Sequence, residues 1–250
     1  MTYELVDEVA WLTIDNVDRG NALSRAVRAG LWDGVRRFND DSSAKVLVVA
    51  AAGDRVFCAG GDLKEMSEET LQVPPPDYMV HFGRNVEVRK PTIACVNGAA
   101  FAGGFMLVQM CDLAIASTNA KFAISEVKVG RGVPWAVPLP DLIHPRVAHW
   151  LTMTGLPIDA EQALRCGLVN EIVAPSHLRD RVQEVARVIC QNAPLSVTAA
   201  KQTMAIRTGA GLEAAFEESE RIWEPVYNSR DAQEGPRAFA QGRSPEWSGA

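Results

Sequence analysis

At 250 residues the chain suits one sizeable domain, or a core with a smaller appendage. Hydrophobic residues make up 47% and charged ones 22%, ordinary for a soluble globular protein; a net charge of −6 disfavours a nucleic-acid groove or an anionic membrane surface as the main partner. Five scattered cysteines, Cys58, Cys95, Cys111, Cys166 and Cys190, form no C-x-x-C pair, so reduced thiols are expected rather than a disulfide framework or metal site.

In chain order, YELVDEVAWLTI predicts two short strands around an Asp-Glu turn. The same stretch is acidic, the opposite of a signal or transit peptide, and no apolar run reaches the length of a membrane span. A cytoplasmic protein is the expectation. After the loop NVDRGNAL, Ser24 is read as the cap of a helix to about Asn39, with Leu31, Trp32, Val35 and Phe38 on one face. KVLVVAAA is a continuous apolar run, as a strand covered on both faces should be. The loop GDRVFCAGGDLKEM then leads into a Pro-rich connector, SEETLQVPPPDY, expected to form a lid or rim, and a helix is predicted from about Asp77 to Arg89.

TIACVN and DLAIAS are further strands, Asp159 caps the helix AEQALRCG that Gly167 closes, and LVNEIV is a strand again. From His177 onward the pattern predicts helices over roughly 177–191, 194–207, 211–227 and 229–240, the last capped by Ser229. Buried strands alternating with helices predict an α/β fold with right-handed crossovers and a largely parallel sheet. A boundary near Asn192 separates this core, residues 1–191, from a helical tail, residues 192–250.

Two segments rich in small residues, FCAGGDLKEM and VNGAAFAGGFML, each leave a strand and enter a helix. Small side chains let another group approach the backbone, and a helix start offers unpaired N–H groups to a partly negative oxygen. On the residues alone, close helix–strand packing explains each segment equally well. Two such loops after two core strands can, however, converge at the carboxyl ends of neighbouring strands, where open α/β folds bind ligands. Paired N–H groups there would form an oxyanion hole, in which each donor is worth about 2.7–4 kcal/mol to a transition state.

Four stretches carry a resemblance: VFCAGGDLKEM, VNGAAFAGG…CDLAIAS, AKFAISEVKVG…P and DAEQALRCGLVNEIV. In order and spacing they resemble the enoyl-CoA hydratase/isomerase (crotonase) family, from about Trp11 to Phe239. The resemblance implies an α/β crotonase-like spiral of ββα units with a C-terminal helical trimerisation region, assembled as a homotrimer or a dimer of trimers. It implies that Gly61 and Gly103 supply the N–H groups that polarise an acyl-CoA thioester carbonyl, with CoA as part of the substrate and no separate cofactor.

Of the two glutamates that flank the acyl carbons in the family, one matches Glu126 and the other position holds Met106. Without the resemblance, Glu126 reads as a solvated or ion-paired carboxylate at a strand end. A general acid or base is worth roughly 100- to 10,000-fold, so loss of one should cripple hydration. A double-bond shift needs one proton removed and another returned, which a single Glu can do. Isomerisation is therefore favoured over hydration or dehydration, with thioester hydrolysis and a non-catalytic acyl-CoA-binding role as alternatives.

The resemblance also places Ala22, Ala59, Asp62 and Leu63 in the substrate-binding loops and makes Arg19 and Lys64 candidates for the CoA anion. As isolated residues Arg19 and Lys64 read as solvated charges, and Asp62 and Lys64 as a charged pair shaping the first loop. Trp135 stands in VPWAVPLP, where the family often has a Gly-rich turn, and reads either as a wall of the acyl pocket or as a core tryptophan. AFAQGRSPEW resembles a segment that reaches a neighbouring subunit's CoA: Phe239 matches its aromatic, Gly242 stands where many members have lysine, and Arg243 is the substitute. His81, His144, His149 and His177 form no ligand spacing, and no phosphate-binding or dinucleotide fingerprint occurs.

Overall fold

The alternating N-terminal residues form a hairpin, β1 (Thr2–Val6) and β2 (Val9–Ile14), turned at Asp7 and Glu8 with φ of 49° and 65°. Two successive left-handed residues give the turn whose twist matches that of paired strands. The Ser24 hydroxyl accepts the Val27 N–H and starts α1 (Arg25–Asp40), which buries Val27, Leu31, Val35 and Phe38. Trp32 stays half-buried and donates its indole N–H to the Asp77 carbonyl. The computed structural model describes the backbone of residues 1–206 and 212–250, and the side chains of these except at positions 212, 213, 215, 216, 239 and 240.

From α1 the chain winds through three similar turns. The first is β3 (Val46–Ala51), β4 (Val56–Cys58) and α2 (Leu63–Glu68). The second is β5 (Thr92–Val96), β6 (Ala99–Phe101) and α3 (Gly103–Gln109). The third is β7 (Leu113–Ser117) and β8 (Lys121–Ala123), ending in a short 3-10 helix, Ser125–Val129, in place of an α-helix. There follow α4 (Leu139–Leu142), α5 (Pro145–Thr154), β9 (Ile158–Asp159), α6 (Ala160–Cys166), β10 (Glu171–Val173), α7 (Leu178–Cys190), α8 (Pro194–Ala205), α9 (Leu212–Tyr227) and α10 (Arg230–Gln241). This is the predicted spiral of ββα units.

The first strand of each turn enters one sheet and the second enters another. The large sheet has the order β1-β2-β3-β5-β7-β10 and is parallel except for the β1–β2 hairpin. The small sheet has the order β4-β6-β8-β9, its first three strands parallel. Leu47 and Val49 face the main core with α1, while Val46 and Val48 face α7, which covers the other side with Leu178, Val182, Ala186 and Cys190. That two-sided burial is why the β3 stretch is apolar without interruption. Cys58 and Cys95 are buried, and burial pushes both thiols up to about 12, so they stay protonated.

Elsewhere the local signals hold. Asp159 and Gln162 form a reciprocal capping box on α6, and Gly167 ends it in a left-handed conformation. Ser229 Oγ accepts the Ala232 N–H at the start of α10. The helix predicted over 77–89 is absent: the segment is a set of turns with a Phe82–Val86 bridge. There Asn85 donates to the Pro76 and Met79 carbonyls and accepts the His81 N–H, and Met79, Val80, Phe82 and Val86 reach the core from irregular backbone. Their spacing mimics a helical stripe, but a side-chain amide takes the place of helical hydrogen bonds. The predicted helix ends at Arg207 and Gly211 lie outside the described residues. Lys201 ties α8 to the core through the Asp112 carboxylate and the Lys90 carbonyl. Among the described residues, no helix is long and apolar enough to cross a membrane.

Candidate active site

Strands β4, β6 and β8 lie side by side and parallel, so their carboxyl ends open on one edge of the small sheet. That edge receives Gly60-Gly61 from the first turn of the spiral, Ala102-Gly103 from the second, and Glu126 from the third. The two glycine turns interlock. A Cβ on Gly60 (φ +98°) would lie 2.6 Å from Ala102 Cβ and 3.4 Å from the Gly103 nitrogen; one on Gly103 would lie 3.9 Å from the Gly61 nitrogen. The two amides are therefore neighbours, and neither N–H has an acceptor among the described residues.

Ala102 shows how the second amide is aimed. Its φ of 52° and ψ of −121° fall where a residue with a Cβ is strained. Its own N–H is anchored on the Ala123 carbonyl of β8 at 2.9 Å, and the peptide that follows turns Gly103 toward the Gly60-Gly61 loop. α3 begins at that point with no side-chain cap, leaving its first N–H groups open. Packing and presentation are divided between adjacent residues. A Cβ on Gly104 would meet the Cys58 carbonyl oxygen at 2.3 Å, so Gly104 is the contact between α3 and β4, while Gly103 lines the site.

Glu126 is 9% exposed. Oε1 accepts the Trp135 indole N–H at 3.1 Å, and Oε2 is buried without a hydrogen-bond partner among the described residues. Burial pushes its carboxyl above the usual range, only partly opposed by hydrogen bonds from its own backbone and from Trp135. The solvated or ion-paired reading of this residue is thereby corrected: it is a desolvated carboxyl. Trp135 packs on Phe105 of α3 with ring centroids 5.9 Å apart, and Met106, 5% exposed, is an apolar residue of the same helix.

Around the first glycine turn, Arg19 pairs with Asp62 at 2.7 Å, and Asp62 Oδ1 accepts the Lys64 and Glu65 N–H groups as the cap of α2. The expected Asp62–Lys64 charged pair is thus corrected to an Arg19–Asp62 pair, because the cap turns the carboxylate toward the Arg19 loop. Lys64 and Leu63 are exposed, Ala22 is buried, and Ala59 is exposed with its N–H on the Gly20 carbonyl. Arg243 makes a two-pronged pair with Glu234 in its own tail, at 2.6 and 3.1 Å. Phe239 lies in α10, and its side chain is outside the described residues.

Sequence reasoning missed two residues. Gln109, one helical turn beyond Met106, is buried and donates to the Trp135 carbonyl at 2.8 Å while its Oε1 has no partner among the described residues. A glutamine inside an otherwise apolar helix was the available signal. Arg131 donates to the Leu71 and Gln72 carbonyls and so straps the Pro-rich connector to the loop after Glu126, which gives the rim reading of that connector its physical basis.

The profile of the enoyl-CoA hydratase/isomerase family matches residues 4–250. The chain belongs to that family. It is an enzyme of a family that acts on CoA thioesters, and the spiral is the crotonase fold. It is 35% identical over 242 residues to a carnitinyl-CoA dehydratase of Proteus mirabilis, covering 92% of each chain. It is 36% identical to an (E)-benzylidenesuccinyl-CoA hydratase of Thauera aromatica, covering 100% of this chain and 99% of the relative. Among solved structures, a probable enoyl-CoA hydratase/isomerase from Mycobacterium abscessus superposes with a TM-score of 0.88 at 36% identity, over 100% of this chain and 98% of the other.

Proposed function

We propose that the enzyme moves a proton at the carbon beside an acyl-CoA thioester, with Glu126 as its sole acid and base. Enoyl-CoA double-bond isomerisation is the reaction this set of groups fits best. Glu126 Oε2 takes a proton from C2 of a 3-enoyl-CoA. The electron pair delocalises onto the thioester oxygen as a dienolate, held by the Gly61 and Gly103 N–H groups. The same carboxyl returns the proton at C4, leaving a 2-enoyl-CoA. A carboxyl raised by burial suits both halves: it holds the proton firmly once taken and is closer in basicity to a neutral working pH.

The observation that carries this reading is the pairing of a buried, half-unpartnered Glu126 with buried Met106 where a second acid would stand. A second reading, reversible hydration, is favoured by the relatives named as dehydratase and hydratase. There the one carboxylate would take a proton from water adding at C3 and deliver one to C2. Purified protein offered 2-hexenoyl-CoA and 3-hexenoyl-CoA separates the two. Isomerisation faster than hydration is expected; the reverse rejects the first reading. Met106→Glu should raise hydration, and free thiol released from either thioester would indicate hydrolysis instead.

On the same reading, Arg19, Lys64, Leu63, Ala22, Ala59 and Asp62 border the CoA path. The tail with Phe239 and Arg243 would serve a neighbouring subunit of a homotrimer or dimer of trimers. For Arg243 that role requires it to exchange Glu234 for a phosphate.

A further inference from the structure

We infer that Trp135 is a positioning residue that selects which Glu126 oxygen carries the proton, and that Gln109 holds Trp135 in place to do so. The inference rests on the single-carboxylate reading above and deepens it. Trp135 sits on a short 3-10 turn, Pro134–Ala136, that supplies no helix of its own to hold it. Three contacts hold it instead. Its carbonyl accepts from Gln109 Nε2 at 2.8 Å, its ring lies against Phe105, and its indole N–H is spent on Glu126 Oε1 at 3.1 Å. Gln109 and Trp135 are 7% and 8% exposed, so these bonds are made away from bulk water.

An indole N–H donates and never accepts. It therefore cannot receive a proton from Glu126 and acts as a fixed dipole on one oxygen. With Oε1 held, the proton transfers fall to Oε2, which is buried and has no donor among the described residues. Gln109 is directional in the same way: only its amide nitrogen can donate to a carbonyl, which sets the side chain's orientation and leaves its Oε1 free. A residue acting only as a pocket wall would need the Trp135 ring but not its N–H.

Among the described residues, no other charge accounts for the state of Glu126. On its own 3-10 helix, Lys128 packs its stem toward Gly155, and in the loop that follows the Arg131 guanidinium is committed to the Leu71 and Gln72 carbonyls. α3 contributes Phe105, Met106 and Gln109, none of them charged, and Arg146 and His149 of α5 are exposed.

The test is an infrared titration of the Glu126 carboxyl stretch, assigned by its loss in Glu126→Gln, for wild type, Trp135→Phe and Gln109→Leu. Phenylalanine keeps an aromatic ring against Phe105 and removes the N–H. Because the indole favours the ionised carboxylate, Trp135→Phe should raise the midpoint by about one pH unit, the worth of a hydrogen bond to a charged group. Gln109→Leu should raise it by less. Turnover of 3-hexenoyl-CoA by Trp135→Phe should fall roughly tenfold in kcat with KM little changed, as expected for a misplaced base.

An unmoved midpoint in Trp135→Phe overturns the inference. If that variant does not fold, an unmoved midpoint in Gln109→Leu overturns it equally. Failure of the underlying reading shows differently: Glu126→Gln would then keep full turnover whatever Trp135→Phe does.

Discussion

Trp11 and Trp135 are two buried tryptophans that make the same bond to different ends. Trp11, on β2, donates its indole N–H to Gln183 Oε1 on α7 at 2.8 Å, and Gln183 passes its own N–H to the Val6 carbonyl at 3.4 Å. The acceptor is neutral, and the arrangement ties a helix to a sheet. Trp135 donates to Glu126, whose other oxygen is buried and unpartnered among the described residues. A neutral acceptor closes a hydrogen-bond chain; an ionisable acceptor in the same setting stores proton affinity. The large sheet uses the bond for cohesion, and on the proposed reading the edge of the small sheet uses it for chemistry.

The largest effect that could break this comparison is at Glu126. Glu126→Gln should lower isomerase turnover by roughly 100- to 10,000-fold, and it should also stabilise the fold at neutral pH. The sign follows from burial. The folded chain holds this proton more tightly than the unfolded chain does. Stability is thus lost as pH rises from the unfolded carboxyl range through the raised folded value. Gln removes that loss, so its Tm should exceed wild type at pH 8, by roughly 2–4 °C per kcal/mol recovered. The gap should close as pH falls below the ordinary carboxylate range. A melting series over pH with equal Tm values throughout would mean that Glu126 is not desolvated.

Trp11→Phe sharpens the contrast from the other side. It leaves Gln183 without its donor and opens a small cavity, so a loss of about 2–3 kcal/mol in denaturant unfolding is expected, with kcat and its pH profile unchanged. A shifted pH profile would erase the distinction between the two tryptophans. The smallest effect is at the α2 cap. Asp62→Ala should cost about 1 kcal/mol, and Asp62→Asn, which keeps the cap and loses the Arg19 charge pair, should recover most of it. Equal losses in the two variants would put the pair above the cap.

Much of this was legible residue by residue. Ser24, Asp159, Gly167 and Ser229 mark helix ends through bonds to backbone a few positions away, so their meaning does not depend on the fold. The glycine turns were legible as turns, and together with the AKFAISEVKVG and DAEQALRCGLVNEIV stretches their order and spacing indicated the family. The segment over 77–89 was misread because apolar spacing reports which residues reach a core and not how the backbone carries them there. Gln109 was missed because a glutamine on an apolar helix has a meaning only once its partner is known, and that partner is the Trp135 carbonyl, 26 positions along.

By itself the sequence determined the six strands of the large sheet, the caps, and the presence of one glutamate and one methionine at the positions the resemblance pairs. These depend on local backbone preference and on residue identity. The strands of the small sheet were not read from it. Only the tertiary structure decided that β4, β6 and β8 end side by side, bringing the Gly61 and Gly103 amides together and burying Glu126 beneath Trp135. Adjacency of those strands is a property of how three spiral turns stack, and the basicity of a carboxyl is a property of how much water reaches it. Neither is written in any short stretch of chain.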